Sequence, residues 1–215
     1  MFDVFLANLP YLTRAALVTI ELAFSGIILG TALGVGLGVL SVLSAQVVRT
    51  AIGVYVFVVR GVPVLVWMFL GYYALPSAGI MVGDFTAVLV ALIAYTAAFV
   101  TEIARGSILS IHRGQIESAK SVGMQWPMIL RLVILPQAVK MSIPPLVNNS
   151  VMMIKQSAYV SVVGVWELSY AAREVVERSL APFQVFLGVM LMYFVICYPL
   201  SVIANHLEKR FSYEH

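Results

Sequence analysis

The chain has 215 residues, of which 61% are hydrophobic and 11% are charged, and its formal net charge is +3. Soluble domains carry about 25% charged residues, so this composition, with a mean hydropathy of +0.99, excludes an ordinary soluble domain. The small positive excess is scattered along the chain, and we expect no nucleic-acid partner. The single cysteine, Cys197, lies in an apolar run, which excludes a disulfide or cysteine-based metal framework.

Long uncharged segments predict an all-α, polytopic membrane protein that forms a single transmembrane domain over residues 1–215. A hydrocarbon core of about 30 Å is crossed by a helix of about 20 apolar residues. We predict five transmembrane helices at about 15–46, 62–75, 85–105, 132–155 and 182–205. The polar segment at about 106–130 is predicted to be a cytoplasmic loop.

The first predicted span contains a glycine at every fourth position, at Gly26, Gly30, Gly34 and Gly38. Such a stripe of small residues is typical of helices that pack at short distance in membranes. A gating hinge is the alternative interpretation of the same glycines. Residues 8–21 form either a short interfacial helix or the first turns of this span, and the sequence leaves both open.

The fourth predicted span is the least regular of the five. Only 14 uncharged residues separate Lys140 from Lys155, and they include Pro144-Pro145 and the polar residues 148–150. We expect a helix that breaks at the prolines, because irregular backbone at membrane depth lines a wet cavity or is buried in protein. Short, proline-interrupted segments also indicate transport sites.

Polar side chains in and after this segment are the candidates for substrate contact, since polar groups at membrane depth are costly and tend to be functional. The candidates are Asn148, Asn149, Lys155, Gln156, Ser157 and Glu167. Lys155 and Glu167 would bind the carboxylate and ammonium groups of a zwitterion, or would form an ion pair with each other. For every candidate the structural alternative is a side chain that satisfies freed carbonyls or caps a helix.

Residues 114–124 predict a short helix in the polar segment between the third and fourth spans. Ile116, Ala119 and Gly123 recur on one helical face, and Gly123 is a suitable helix end. We interpret this face as a compact surface presented to the aqueous side of the membrane.

The same segment resembles the EAA loop of binding-protein-dependent ABC importer permeases, E-A-A-x3-G-x9-I-x-L-P. Here the pattern is Glu117-Ser118-Ala119, then Gly123, then Val133-Ile134-Leu135-Pro136, with Ser118 and Val133 in place of alanine and isoleucine. Flanking segments resemble the branch that imports polar amino acids, such as histidine, arginine, glutamine and glutamate. They are Glu102-Ile103-Ala104-Arg105-Gly106, Arg113-Gly114-Gln115, Leu135-Pro136-Gln137-Ala138 and Pro144-Pro145-Leu146-Val147-Asn148. The resemblance covers roughly residues 13–205.

This resemblance implies the fold and the partners of a type I ABC importer permease. Its coupling helix would contact a separate ATPase through Gln115, Glu117, Ser118, Ala119 and Gly123. The implied assembly has two ATPase subunits, a second permease chain, identical or different, and an extracytoplasmic solute-binding protein. Its implied function is the ATP-driven import of a polar amino acid.

Nucleotide chemistry is expected on a partner rather than on this chain. No G-x-x-x-x-G-K-[ST] segment occurs, so phosphates are not bound by that route, and we expect ATP and Mg²⁺ on the ATPase subunits. We therefore expect a transport subunit that binds no cofactor or metal and is not itself an enzyme. A self-sufficient secondary amino acid transporter is the alternative, but neither buried carboxylate relays nor inverted repeats are evident. An intramembrane enzyme would need a nucleophile–base pair, which is not recognisable here.

The distribution of Lys and Arg predicts the orientation. With the polar segment inside, nine of these residues lie in inner segments and four in outer ones. Since positive residues are enriched in cytoplasmic loops, we predict an extracytoplasmic N-terminus and a cytoplasmic C-terminus in the inner (plasma) membrane.

Overall fold

The computed structural model describes residues 2–212, which form eight helices and no strand. Residues 1 and 213–215 of the predicted domain lie outside the described part. The helices are α1 Asp3–Leu43, α2 Gln46–Gly61, α3 Val64–Ser77, α4 Asp84–Leu109, α5 Arg113–Ser121, α6 Trp126–Val163, α7 Leu168–Ser179 and α8 Pro182–Ser212. The predicted all-α membrane fold is confirmed.

The glycine stripe of α1 lies directly against α4. A Cβ added to Gly30 would lie 2.5 Å from Cβ of Thr96, and one added to Gly38 would lie 2.6 Å from Cβ of Ala104. Any side chain at these positions would therefore push the two helices apart. The predicted close packing is confirmed.

These contacts also give the direction of the two helices. Gly30 meets Thr96 and Gly38 meets Ala104 at the same offset of 66 residues, so α1 and α4 run in the same direction. The chain between Leu43 and Asp84 must therefore return across the bundle. Helices α2 and α3 make this return, with a bend of 104° between them. Counted in this way, α1, the α2–α3 pair, α4, α6 and α8 give the predicted number of five crossings, but the second includes α2 and begins at Gln46 instead of residue 62.

A π-helical turn precedes each of two Leu-Pro pairs. Leu70–Ala74 precedes Leu75-Pro76 in α3, and Leu130–Ile134 precedes Leu135-Pro136 in α6. Proline has no N–H, and its ring clashes with the carbonyl four residues earlier in a regular α-helix. The wider turn accommodates both effects, so the chain continues as a helix through the end of the EAA-like pattern.

The expected break at Pro144-Pro145 is wrong. Both prolines lie inside the α-helical segment Leu135–Ser157, and the helix ends only after a 3₁₀ segment, at Gly164 with φ of 92°. Each proline removes one backbone hydrogen bond and crowds the carbonyl four residues earlier, yet the segment stays helical through both. Helix α6 packs against α4 and α8, and such burial in protein tolerates the backbone groups that the prolines leave unpaired.

Helix α1 is longer than the hydrophobic layer is thick. This helix has 41 residues, about 60 Å at 1.5 Å per residue, against a core of about 30 Å. Its Leu12 and Ala15 pack with Leu168 and Val175 of α7. Residues 8–21 are therefore the first turns of α1, and α1 and α6 both begin well before the predicted spans at 15 and 132.

Candidate functional site

Both ends of α5 are fixed by local hydrogen bonds. At its start, Nδ1 of His112 accepts from the N–H of Gly114 at 3.1 Å. At its end, the N–H of Gly123 donates to Lys120 O at 2.9 Å and that of Met124 to Ala119 O at 3.1 Å. This is a Schellman motif, which requires a left-handed residue, and Gly123 has φ of +80°. Gly123 therefore shapes the end of the helix.

The apolar face of α5 is turned towards its own bundle. Ala119 is only 7% exposed and belongs to an apolar cluster with Ile108 of α4 and Ile129 of α6. Ile116 packs against the same cluster. The expectation that Ala119 lies on the surface offered to a partner is therefore wrong, because the apolar face of this short helix is what anchors it to α4 and α6.

The face of α5 that carries Glu117 and Ser118 points away from this cluster and is open. Gln115, Glu117, Ser118 and Gly123 are exposed, and the Gln115 side chain also accepts a hydrogen bond from Gln137. An open cavity of about 430 Å³ lies at the start of α6, just after α5 in the chain. Its lining residues are Gln125, Pro127, Met128, Arg131 and Leu132.

Three apolar residues next to α5 were missed by the sequence interpretation. Val122 is 77% exposed, Trp126 47% and Met128 50%. We refer to these three exposed residues, together with the exposed Glu117 and Ser118, as the α5 surface. The signal was in the sequence, because apolar side chains within a polar loop are the ones that a docking partner would cover.

The polar residues of α6 fall on two adjacent faces. Asn148 and Lys155 are seven residues apart, about two helical turns, and both are exposed. Asn149 and Gln156 share the neighbouring face at the same spacing. The side-chain oxygens of Asn149 and Gln156 are buried and have no hydrogen-bond partner among the described residues. Ser157 stands apart, since its hydroxyl is buried and donates to Ile154 O at 2.8 Å.

The unpartnered oxygens of Asn149 and Gln156 are costly. A buried acceptor without a donor destabilises a protein by about 1–3 kcal/mol. Such groups in a native fold point to a donor from water or a ligand, and this holds best for Asn149, because the Gln156 side chain also lies within hydrogen-bonding reach of Tyr95. An ammonium or amide group of a small polar molecule would supply that donor.

Lys155 lines an open groove of about 550 Å³ between α6 and α8. The other lining residues are Ala158, Met190, Tyr193, Phe194, Cys197, Tyr198 and Ser201, so Lys155 is the charged residue among them. The exposed ammonium group can therefore attract a carboxylate to an otherwise apolar and aromatic surface.

Glu167 is not among the residues that line this groove. It is 0% exposed and caps α7, where Oε1 accepts from the N–H of Tyr170 at 2.9 Å. Oε2 accepts from Tyr193 at 3.0 Å and from Thr19 at 3.1 Å. Burial raises the pKa of the Glu167 carboxyl, while these hydrogen bonds act in the opposite direction.

The structure does not bring Glu167 to Lys155. No ion pair joins them within residues 2–212, and both carboxylate oxygens of Glu167 are already bonded to the chain itself. Tyr193, however, lines the groove that holds Lys155. Glu167 therefore positions a groove residue instead of facing the groove.

Comparison with known proteins decides which family this architecture represents. The family model described as "Binding-protein-dependent transport system inner membrane component" matches residues 26–213. The chain belongs to this family. As such an inner membrane component, it is a multi-pass membrane protein that acts together with other subunits of a transport system.

Several curated relatives of this inner membrane component are similar over most of their length. The probable glutamine ABC transporter permease protein GlnM of Bacillus subtilis is 38% identical, over 83% of this chain and 82% of the relative. The L-cystine transport system permease protein TcyB of the same organism is 33% identical, over 94% and 86%. The glutamine transport system permease protein GlnP of Escherichia coli is 30% identical, over 94% and 93%.

Solved structures agree with the family assignment. A chain of an amino acid ABC transporter crystallised with histidines superposes with a TM-score of 0.91 and 31% identity, over 98% of both chains. The MetNI methionine ABC transporter in an inward-facing form superposes with a TM-score of 0.78, over 95% of this chain and 98% of that one, at 20% identity, which shows the shared fold. The predicted type I permease-like fold is confirmed.

Proposed function

We propose that this chain is the transmembrane permease subunit of an ATP-driven, binding-protein-dependent importer of a polar amino acid. The observation that carries the proposal is the two-sided α5 helix. Its buried face, through Ala119, contacts residues of α4 and α6, while Glu117 and Ser118 remain exposed. A partner that moves α5 therefore moves two membrane-spanning helices.

The partner on the α5 surface is a cytoplasmic ATPase subunit. Apolar groups at Val122, Trp126 and Met128 supply area to bury, and Glu117 supplies a charge for pairing with a basic side chain. Closure of the ATPase on ATP and Mg²⁺ then pushes α5 against the cluster at Ile108 and Ile129. The permease itself needs no nucleotide site in this mechanism.

The complete importer contains two ATPase subunits, a second permease chain and an extracytoplasmic solute-binding protein. Helix α5 faces the cytoplasm, which places the N-terminus outside and the C-terminus in the cytoplasm. The excess of Lys and Arg on the α5 side supports this orientation.

The amino acid passes along the polar face of α6. Lys155 attracts the substrate carboxylate, and the oxygens of Asn149 and Gln156 accept hydrogen bonds from its ammonium or side-chain amide. Asn148 lies on the exposed face with Lys155, whereas Ser157 and Glu167 support the helices around the path. Relatives named for glutamine and L-cystine support a polar amino acid as the substrate class.

Cross-linking from the α5 surface tests the coupling step. Ser118→Cys in the assembled complex should cross-link to the ATPase subunit, and ATP binding should change the yield. Glu177→Cys on α7, at the opposite end of the bundle, is the matched control and should give no ATPase product. An equal yield from both positions, or none from position 118, would remove the assignment of α5 as the coupling helix.

A further inference from the structure

A second open cavity, of about 400 Å³, lies between the C-terminal ends of α1 and α4 and the side of α2. It is on the same side of the bundle as α5, since α4 leads directly into that helix. Three arginines line it: Arg49 and Arg60 of α2 and Arg105 of α4. We call it the arginine cavity. It shares no lining residue with the groove at Lys155 or the cavity at the start of α6.

The charges in the arginine cavity are not balanced by the protein. Glu102 is the carboxylate among its lining residues, and it pairs with Arg105 at 2.7 Å. Arg49 donates to the carbonyl of Ser41 at 3.2 Å, and the Arg60 guanidinium lies 5.1 Å from the centre of the Phe99 ring. Within the described residues neither Arg49 nor Arg60 has a carboxylate partner, so the cavity carries an excess of two positive charges.

An exposed apolar surface adjoins these charges on α2. Phe57, which itself lines the cavity, is 81% exposed, Val54 is 57% exposed and Val58 is 44% exposed. Ser41, which also lines the cavity, lies two residues before the end of α1. The cavity is therefore at the end of the bundle where α1 finishes, and its arginines are next to side chains suited to hydrocarbon.

We propose that the arginine cavity binds the phosphodiester headgroup of an anionic phospholipid. The phosphate lies between Arg49 and Arg60, and an acyl chain follows Phe57 and Val54 along α2. Basic pockets between membrane helices on the cytoplasmic side are suited to anionic headgroups. A guanidinium group can donate two parallel hydrogen bonds to the oxygens of one phosphate. A bound lipid would also relieve the repulsion between the arginines and hold α2 against α1 and α4.

Charge and surface favour a lipid over other anions. A free phosphate would meet the same arginines but would leave Phe57 and Val54 uncovered, whereas a phospholipid buries both. A zwitterionic amino acid has no net charge to offset the excess of two. This site is therefore separate from the proposed substrate path on α6, and its test does not depend on transport.

Photolabelling of the assembled importer tests the proposal. The complex is placed in nanodiscs of phosphatidylethanolamine that contain a phosphatidylglycerol with a diazirine in its acyl chain, and the label on residues 46–61 is quantified by mass spectrometry. The wild type should be labelled on α2. In the double variant Arg49→Gln/Arg60→Gln the label on α2 should be about 30-fold lower than in the wild type, as expected when two arginines near an anionic lipid are lost.

Two control variants separate charge from folding. Arg131→Gln removes one positive charge from an exposed position that does not line the arginine cavity and should keep the wild-type label. Arg49→Lys/Arg60→Lys keeps the charge and should retain most of the label, even if the glutamine variant packs less well. The same diazirine on phosphatidylethanolamine should label wild type and variants equally.

Three results would overturn the proposal. One is equal phosphatidylglycerol labelling of the wild type and the glutamine double variant. Another is loss of the label on addition of inorganic phosphate at constant ionic strength, which would assign the cavity to a free anion. The third is efficient cross-linking of Phe57→Cys to the second permease chain, which would show that protein covers this surface.

Discussion

The hydroxyl of Tyr193 donates to Oε2 of Glu167 across 3.0 Å, and the same oxygen accepts from Thr19. One carboxylate thus joins α8 to α1 at the point where it also caps α7. Because its partners all belong to this chain, the bond network holds the bundle together and sets the position of Tyr193 in the groove beside Lys155.

Glu167→Ala should therefore destabilise the protein. Loss of the cap costs about 1 kcal/mol, and the buried donors left behind add about 1–3 kcal/mol. The melting temperature of the purified complex should fall clearly, while Glu177→Ala, an exposed neighbour on α7, should leave it nearly unchanged. An unaltered melting temperature combined with defective uptake would instead support direct substrate contact by Glu167.

The contact between Gly30 and Thr96 leads to a second prediction. Gly30→Leu should separate α1 from α4 and destabilise the bundle by about 1–3 kcal/mol or more, as overpacking does. Gly36→Leu in the same helix is the control, because a Cβ added at Gly36 would have no atom within 4 Å. Thermal unfolding in detergent compares them, and equal melting temperatures would show that the stripe tolerates side chains.

The sequence was sufficient for the helices whose signals are local. Long apolar runs predicted the membrane crossings, and the four-residue glycine spacing predicted close helix packing. Each of these signals is contained within a single stretch of sequence. The bend between Gly61 and Val64 also has a local signal, because Val62 precedes Pro63 and is extended. The continuation of α6 through Pro144-Pro145 has no such signal, and there α6 packs against α4 and α8.

The candidate site was predicted less completely for the same reason. The pattern around Glu117 and Gly123 located α5, but the direction faced by Ala119 is set by Ile108 and Ile129 on other helices. The structural alternative for Glu167, a helix cap, is what the structure shows, whereas its partners Thr19 and Tyr193 are far away in sequence and no local pattern indicates them. Val122 and Trp126 were overlooked because they are not part of the motif.

Gly123 provides a third prediction, which concerns the shape of the α5 end. A Cβ at this position would meet no atom within 4 Å, so substitutions act through the positive φ rather than by clash. Gly123→Val should weaken co-purification of the ATPase subunit, since a left-handed backbone costs a branched residue about 1–2 kcal/mol. Gly123→Asn should retain most of it. If both variants bind the ATPase equally well, the helix end is not part of the docking surface.

Asn149→Leu is the fourth prediction and concerns the substrate path. The amide oxygen of Asn149 is buried without a partner, so an apolar side chain of similar size should not lower the melting temperature. Uptake should nevertheless fall, because the substrate loses an acceptor. Gln184→Leu removes a similarly unpartnered oxygen from α8 and should leave uptake intact. A stable Asn149→Leu variant with normal uptake would place the path elsewhere.

The most direct measurement is amino acid uptake into proteoliposomes that contain the complete complex. The ATPase subunits face the lumen of the vesicles, and ATP is enclosed in the lumen. We predict that uptake of a polar amino acid requires ATP, the ATPase subunits and the solute-binding protein. It should persist when ionophores remove all ion gradients. Uptake that proceeds without ATP and stops when the ion gradients are removed would contradict this account and identify a secondary transporter.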